Sequence, residues 1–318
     1  MTALLFGIMT LVLVGPVPEW LSRAAWPIRV PRAAMILWQA IALAAVLSAF
    51  SCGLAIAANL LVPGPDGAPT THPVHEIERL GLPMWLLCVG VFALTLLVGA
   101  RLTFTTIRVG LRTRSRRATH RQLIDILDRC DHSDRSNPLF ASDIRMIDVP
   151  QPLAYCLPGL RRRVVLSEGV VDRLTHDELL AVIAHERAHL RARHDLVLEA
   201  FIALHEAFPR VVRSSSALDA VKLLVEALAD DQAVRATTPA TVGRALVACV
   251  DSVAPHGAMA VGGPTTLARV NRLCHPDPSP WSAAAAYAAA LAILLVPTLA
   301  VAIPWLTEIS RLISQRVT

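Results

Sequence analysis

Two histidines four residues apart, His185 and His189, flank Glu186 in the run H-E-x-x-H, within the stretch LLAVIAHERAHLRARHD at 179–195. On a helix, residues i and i+4 share a face, so the two imidazoles point the same way. Two imidazoles so placed can grip one zinc ion, and the adjacent carboxylate can take a proton from a water at the metal. The competing reading is an ordinary helix with a charged flank. Against it, an apolar helix directed into a core gains nothing from two histidines and a glutamate unless they are paired or ligating. The pattern therefore assigns His185 and His189 as ligands of Zn2+ and Glu186 as general base.

A catalytic zinc site needs a third protein ligand and keeps one position for water. Six residues after His189 stands Asp195, but the glycine that would turn the chain toward it is replaced by Ala192. The helix is therefore expected to run on and to carry His194 and Asp195 away from the metal. His205, in LVLEAFIALHEAF, is a weaker candidate. The helical run ALDAVKLLVEALADDQAV places Glu226 and Asp230 four apart on one face. Glu226 is the expected third ligand. Asp230 is expected to accept the free N–H of a ligand histidine and so fix its tautomer.

These side chains need elements to hold them. Thr175 and Glu178 in THDE form a capping box, which predicts a helix starting near His176, with Leu179, Leu180, Val182, Ile183 and Leu190 on its buried face. Upstream, RQLIDILDRC reads as an amphipathic helix, and IRMIDVP, LAYCLP and RRVVLSEG read as strands of a small sheet. Everything after them reads as helix. One of the last two strands is expected to pair with an extended substrate chain.

The 318 residues are 54% hydrophobic, with a mean hydropathy of +0.51, which excludes an ordinary soluble protein. Four segments meet the roughly 20 residues that a bilayer span requires: about 3–21, 33–62, 82–104 and 281–305. The expected organisation is three transmembrane helices within 1–105, a cytoplasmic zinc metallopeptidase domain at 106–280, a fourth transmembrane helix at 281–305 and a short external tail at 306–318. The net charge is +5, and Lys222 is the sole lysine. RLTFTTIRVGLRTRSRRATHR, after the third span, holds seven arginines and no acid. By the positive-inside rule the N-terminus lies outside and the peptidase domain inside, at the plasma membrane. The same arginines fit a stop-transfer anchor meeting anionic lipid better than a nucleic-acid site, since no aromatic residues interleave them. His72, His75 and Glu76 between the second and third spans read as a solvated loop. None of the six cysteines forms C-x-x-C, so a disulfide framework is not expected.

VVLSEGVVDRLTHDELLAVIAHERAHLRARHD followed by EALAD resembles the gluzincin membrane metallopeptidases, which carry H-E-x-x-H on one helix and E-x-x-A-D on a later one. Two relatives share that core, the HtpX and CAAX-prenyl-protease type and the BlaR/MecR type of antibiotic-responsive transducer. Three spans, an inner peptidase domain and a fourth span resemble the BlaR/MecR layout more. The resemblance implies a mainly α membrane protein with an inserted α+β zincin domain. It implies zinc ligands His185, His189 and Glu226, catalytic Glu186 and outer partner Asp230. Its implied partners are the lipid bilayer and a protein substrate, either a winged-helix repressor or the chain itself, with 112–121 as an exposed place for self-cleavage. The BlaR/MecR type also carries a penicillin-binding sensor; no S-x-x-K motif of that class occurs here, so direct acylation by a β-lactam is not expected. The alternatives are an HtpX-type quality-control protease, a catalytically silent zinc-binding transducer, and a plain membrane-interaction protein.

Overall fold

The computed structural model describes residues 2–63, 69–128, 142–159, 162–209, 214–249, 259–260, 265–275 and 279–317. Within them, four helical stretches are long and apolar enough to cross a membrane: Thr2–Arg23, Pro31–Leu60, Leu82–Leu127 and Pro280–Leu299.

The first stretch is two helices, α1 (Thr2–Val14) and α2 (Pro16–Arg23). Pro16 has no N–H to donate and disfavours helical geometry in the residue before it. Gly15 accordingly sits at φ −101°, ψ −91°, off the helix. The second stretch, α3 (Pro31–Ala57), opens on a proline in its first turn, where the missing N–H costs nothing. Its buried Ala34, Trp38 and Ala44 pack with α1 and with Ala286 and Ala290 of the last helix, Pro280–Val317. Small residues at these contacts let the helix backbones approach closely.

A two-stranded hairpin, β1 (Val62–Pro63) and β2 (Pro69–Thr70), and a short helix, α4 (Pro73–Leu80), lead to the third stretch. Where the sequence suggests a solvated loop, Glu76 is only 3% exposed. It accepts the backbone N–H of His72 at 2.8 Å and the Trp85 indole N–H at 2.7 Å, closing the N-terminus of α4.

The third stretch is one helix, α5 (Leu82–Leu127), of 46 residues. At 1.5 Å per residue it is about 70 Å long, more than twice the hydrocarbon thickness of a bilayer. The expected span ending at 104 and the expected amphipathic helix from 121 are thus two parts of one rod. No proline or cap interrupts the arginine-rich stretch between them, and arginine is a good helix former. The stretch 112–121, suggested as a self-cleavage site, lies inside this helix, where the backbone is unavailable in extended form.

The sheet has strand order β3-β5-β4-β6, with β3 (Ile144–Ile147), β4 (Ala154–Leu157), β5 (Arg163–Ser167) and β6 (Met259–Ala260). The strand β3 runs parallel to β5, with Ile144 opposite Val164; β4 runs antiparallel to β5, with Tyr155 opposite Val165. Period-two alternation divides the side chains between two faces. Ile144, Cys156, Val164 and Leu166 pack on the H-E-x-x-H helix, whereas Ile147, Tyr155, Leu157 and Val165 pack around Ile124 of α5. Both faces are covered, which explains the unbroken apolar runs of β4 and β5. The expectation of helix alone after β5 is corrected by β6, which pairs with Tyr155 and Cys156 of β4. Among the described residues β5 is paired on both sides, and β6 covers β4 only at Tyr155 and Cys156.

Six helices complete the described fold: α6 (Glu168–Arg173), α7 (His176–Ala192), α8 (His194–Ala207), α9 (Ser214–Ala236), α10 (Pro239–Ala248) and α11 (Thr266–Cys274). Phe201 of α8 and Val221, Leu224 and Val225 of α9 join the same apolar cluster as α3. The site-bearing helices are therefore packed directly on the apolar helices.

Candidate metal centre

Helix α7 begins as its capping box dictates. The Glu178 N–H reaches Thr175 Oγ1 at 3.4 Å, and the Thr175 N–H donates to Glu178 Oε2 at 3.0 Å. From that start the 3.6-residue period turns His185, Glu186 and His189 inward, at 2%, 0% and 1% exposure. Helix α9 lies against α7, where the fully buried Ala233 packs in the same cluster as Leu179, Val182 and Ile183 and its small side chain lets the helices approach. The approach delivers Glu226 and Asp230 to the histidines.

One ligand atom from each of His185, His189 and Glu226 lies within 4.8 Å of the others. The Nε2 atoms of the two histidines are 3.1 Å apart, His185 Nε2 is 3.4 Å from Glu226 Oε2, and His189 Nε2 is 3.5 Å from Glu226 Oε1. Tetrahedral zinc with bonds of about 2.0–2.1 Å separates its ligand atoms by about 3.3 Å, so the three atoms already stand at the spacing that such an ion needs. Glu226 Oε2 and both oxygens of Glu186 are buried without a well-angled hydrogen bond among the described residues. Buried lone pairs without donors are costly and call for a cation. The donor set, two imidazoles and a carboxylate, suits zinc.

The outer contacts orient the rings. His185 Nδ1 lies 3.1 Å from Asp230 Oδ1, so the carboxylate holds the proton on Nδ1 and leaves Nε2 free to ligate. The angle falls short of a good hydrogen bond, although the distance is that of an ion pair. His189 Nδ1 lies 3.1 Å from Nδ1 of His194. For His189 to ligate through Nε2, its Nδ1–H must donate to a deprotonated Nδ1 of His194.

His194 corrects the expectation that RARHD leaves the site. Helix α7 stops at Ala192, and Arg193 takes the left-handed conformation, φ 51°, ψ 45°. Glycine is the usual residue there, and another residue costs about 1–2 kcal/mol. The turn points α8 in a new direction and buries His194 beside His189. Asp195 pairs with Arg117 of α5 at 3.0 Å, away from the ligand cluster. His205 lies on α8 and is not among the clustered ligands.

Sequence reasoning also missed Arg269, which is fully buried on α11. Its Nε donates to Asp230 Oδ2 at 2.8 Å and its Nη2 to Asp230 Oδ1 at 2.6 Å. Its Nη1 stands 2.9 Å from Glu226 Oε2, though poorly angled for a hydrogen bond. No motif marks this arginine. The available signal was physical: two carboxylates on an otherwise apolar helix face need a cation when buried.

The titration of the cluster follows from these contacts. Burial alone would lower the pKa of His185, but the close carboxylates of Asp230 and Glu226 outweigh it and raise it to about 9. Burial lowers His189 to about 3 and His194 to about 4, leaving both neutral. Burial would raise Glu226, but the histidines and Arg269 bring it down to about 2. Asp230 is likewise held well below the usual carboxylate range by Arg269 and His185, against burial. Glu186 differs: burial raises it to about 7, the range of a working general base. Its polar neighbour is the Cys156 thiol of β4, on the sheet face that packs against α7.

Comparison with known proteins adds to this geometry. Residues 117–220 match the model of peptidase family M48. The match takes in H-E-x-x-H and the helices on either side of it and ends just before Glu226. A protein described as a protease HtpX homolog, from Thermoplasma acidophilum, is 42% identical over 50 residues, which are 16% of this chain and 16% of that protein. No solved structure matches the chain. The similarity to family M48 thus covers the segment that carries H-E-x-x-H.

Proposed function

We propose that this chain is a zinc-dependent endopeptidase acting at the cytoplasmic face of the plasma membrane, with His185, His189 and Glu226 as ligands and Glu186 as general base. One observation carries the reading: two imidazole nitrogens and a carboxylate gather within 4.8 Å, with a buried carboxylate of raised pKa one residue from a ligand. Bound there, zinc supplies Lewis acidity, bringing the pKa of a water toward about 7 and polarising the scissile carbonyl. With zinc held by His185, His189 and Glu226, Glu186 would accept a proton from the attacking water as the water oxygen adds to the carbonyl carbon. It then delivers the proton to the leaving amine nitrogen as the C–N bond breaks. Asp230 and His194 hold the ligand rings in the tautomers that expose Nε2, and Arg269 keeps Glu226 and Asp230 charged.

The placement at the cytoplasmic face rests on the arginines that follow the apolar part of α5. Two roles fit. The order of apolar segments in the sequence supports a BlaR/MecR-type transducer that cleaves a repressor. The identity to a protein described as a protease HtpX homolog supports quality control of membrane proteins. The test is metal analysis of the purified full-length protein, then cleavage and substrate trapping with Glu186→Gln. The expected results are one zinc per chain, loss of cleavage in the variant, and captured proteins that are either a single regulator or a broad set. A variant that cleaves as fast as wild type would end the mechanism.

A further inference from the structure

Beside the metal centre, on the His194 side, is a cavity of about 640 Å3 between α5, the turn from α7 to α8, and the loop after β4. Five arginines line it: Arg114, Arg117 and Arg121 from one face of α5, Arg162 from the loop and Arg193 from the left-handed turn. The acids in its lining are Asp195 and Glu199, and both pair with Arg117, at 3.0 and 2.8 Å. Arg121 is spent on the wall: its Nη1 donates to the Pro158 carbonyl at 2.8 Å, across Gly159, where a Cβ would come within 2.6 Å of that nitrogen. Gly159 also has φ +150°, which glycine adopts freely. Arg162 and Arg193 are exposed and make no ion pair among the described residues; the exposed Arg114 acts on Glu199 only through its field. The cavity thus presents a surplus of positive charge on a built frame.

Its position relates it to the chemistry. Leu190 in its lining follows the ligand His189, and Arg193 and Asp195 flank His194, which touches His189. Four residues of helix between His189 and Arg193 rise by about 6 Å, the reach of about two residues of extended peptide. Anionic lipid headgroups fit less well. If the third span ends near residue 104, Arg114 and Arg121 stand about 15–25 Å further along α5, past an interfacial layer of about 5–8 Å.

We propose that this arginine pocket is a specificity subsite that takes an acidic side chain of the polypeptide substrate, about two to four residues from the scissile bond. This rests on the peptidase reading above, and two measurements separate its failure from the failure of that reading. The first is binding, independent of turnover. Full-length Glu186→Gln protein in nanodiscs is titrated with a fluorescent Glu-containing peptide and its Gln counterpart. The Glu peptide binds about tenfold more tightly at low salt, the preference shrinks as salt is added, and adding Arg162→Glu or Arg114→Glu abolishes it. The second is the cleavage profile of the zinc-loaded protein on a peptide library. Wild type enriches Asp and Glu at one fixed distance from the cut, and Arg162→Glu or Arg114→Glu shifts that position toward Lys and Arg.

Equal binding of the two peptides, or a profile without acidic enrichment, overturns the subsite. So does an Arg162→Glu protein that loses affinity for anionic vesicles but keeps its peptide profile, which makes the pocket a lipid site. Acidic-peptide binding by a wild-type protein that cleaves nothing refutes the peptidase reading and, with it, the assignment as a substrate subsite.

Discussion

His185 Nδ1 stands 3.1 Å from Asp230 Oδ1, while the other nitrogen of the same ring faces Glu226. One helix, α9, therefore supplies both the expected third ligand and the group that orients the first. Because Asp230 fixes where the proton of His185 sits, Asp230→Asn should weaken zinc binding by about 10–100-fold. Competition against a chelator of known affinity measures this. Unchanged affinity would mean that the carboxylate serves stability alone.

The same contact makes zinc uptake a proton-releasing step. The pKa of His185 is raised to about 9, so the metal-free ring is charged at pH 7 and must lose its proton before Nε2 can ligate. Affinity should rise with pH across the window below 9, by up to about tenfold per unit for one proton. Calorimetry from pH 6 to pH 8, in buffers of differing ionisation enthalpy, should report about one proton released per zinc. A flat affinity over that range with no proton release would show that His185 is neutral.

Arg269 makes two well-angled hydrogen bonds to Asp230 and stands 2.9 Å from Glu226 as well. Replacing it with Met leaves buried carboxylates without their counter-charge, which costs about 3–5 kcal/mol. In detergent, Arg269→Met should therefore melt well below wild type, with Arg269→Lys between them because lysine keeps the charge but not the two-pronged geometry. A Met variant as stable as wild type would place the stabilising contacts elsewhere.

The parts of this fold legible in the sequence are those set by local rules. THDE marks the start of α7, short apolar runs bounded by Pro and Gly mark β3 to β5, and i,i+4 spacing aligns His185 with His189. What escaped reading depends on contacts between distant segments. Arg193 turns left-handed without the glycine that normally signals it, so His194 looked remote from a histidine that it touches. Arg269 meets Asp230 from 39 residues away on a separate helix. The two residues of β6 are too short to carry a period, and their strand state comes from pairing with Tyr155 and Cys156. The continuity of α5 was hidden by its change from apolar to arginine-rich, although nothing in that stretch breaks a helix.

The capping box itself offers a test of pH dependence away from the metal. The carboxylate of Glu178 accepts from Arg244 Nε at 2.8 Å and from the Thr175 N–H, and these contacts lower its pKa, Arg244 contributing most. A pKa lower in the folded than in the unfolded chain adds stability that is fully present above the unfolded value. That stability is lost as the pH falls through the folded value. Glu178→Gln keeps the capping hydrogen bond and removes the charge. Wild type should therefore exceed the variant by about 0.5–1 kcal/mol at pH 7, a modest figure because Arg244 is largely exposed and screened. The gap should close as the pH drops below the ordinary glutamate value of 4.5. Denaturation of both proteins in detergent between pH 3 and pH 7 measures it. A gap that persists at pH 3 would assign the effect to packing rather than to charge.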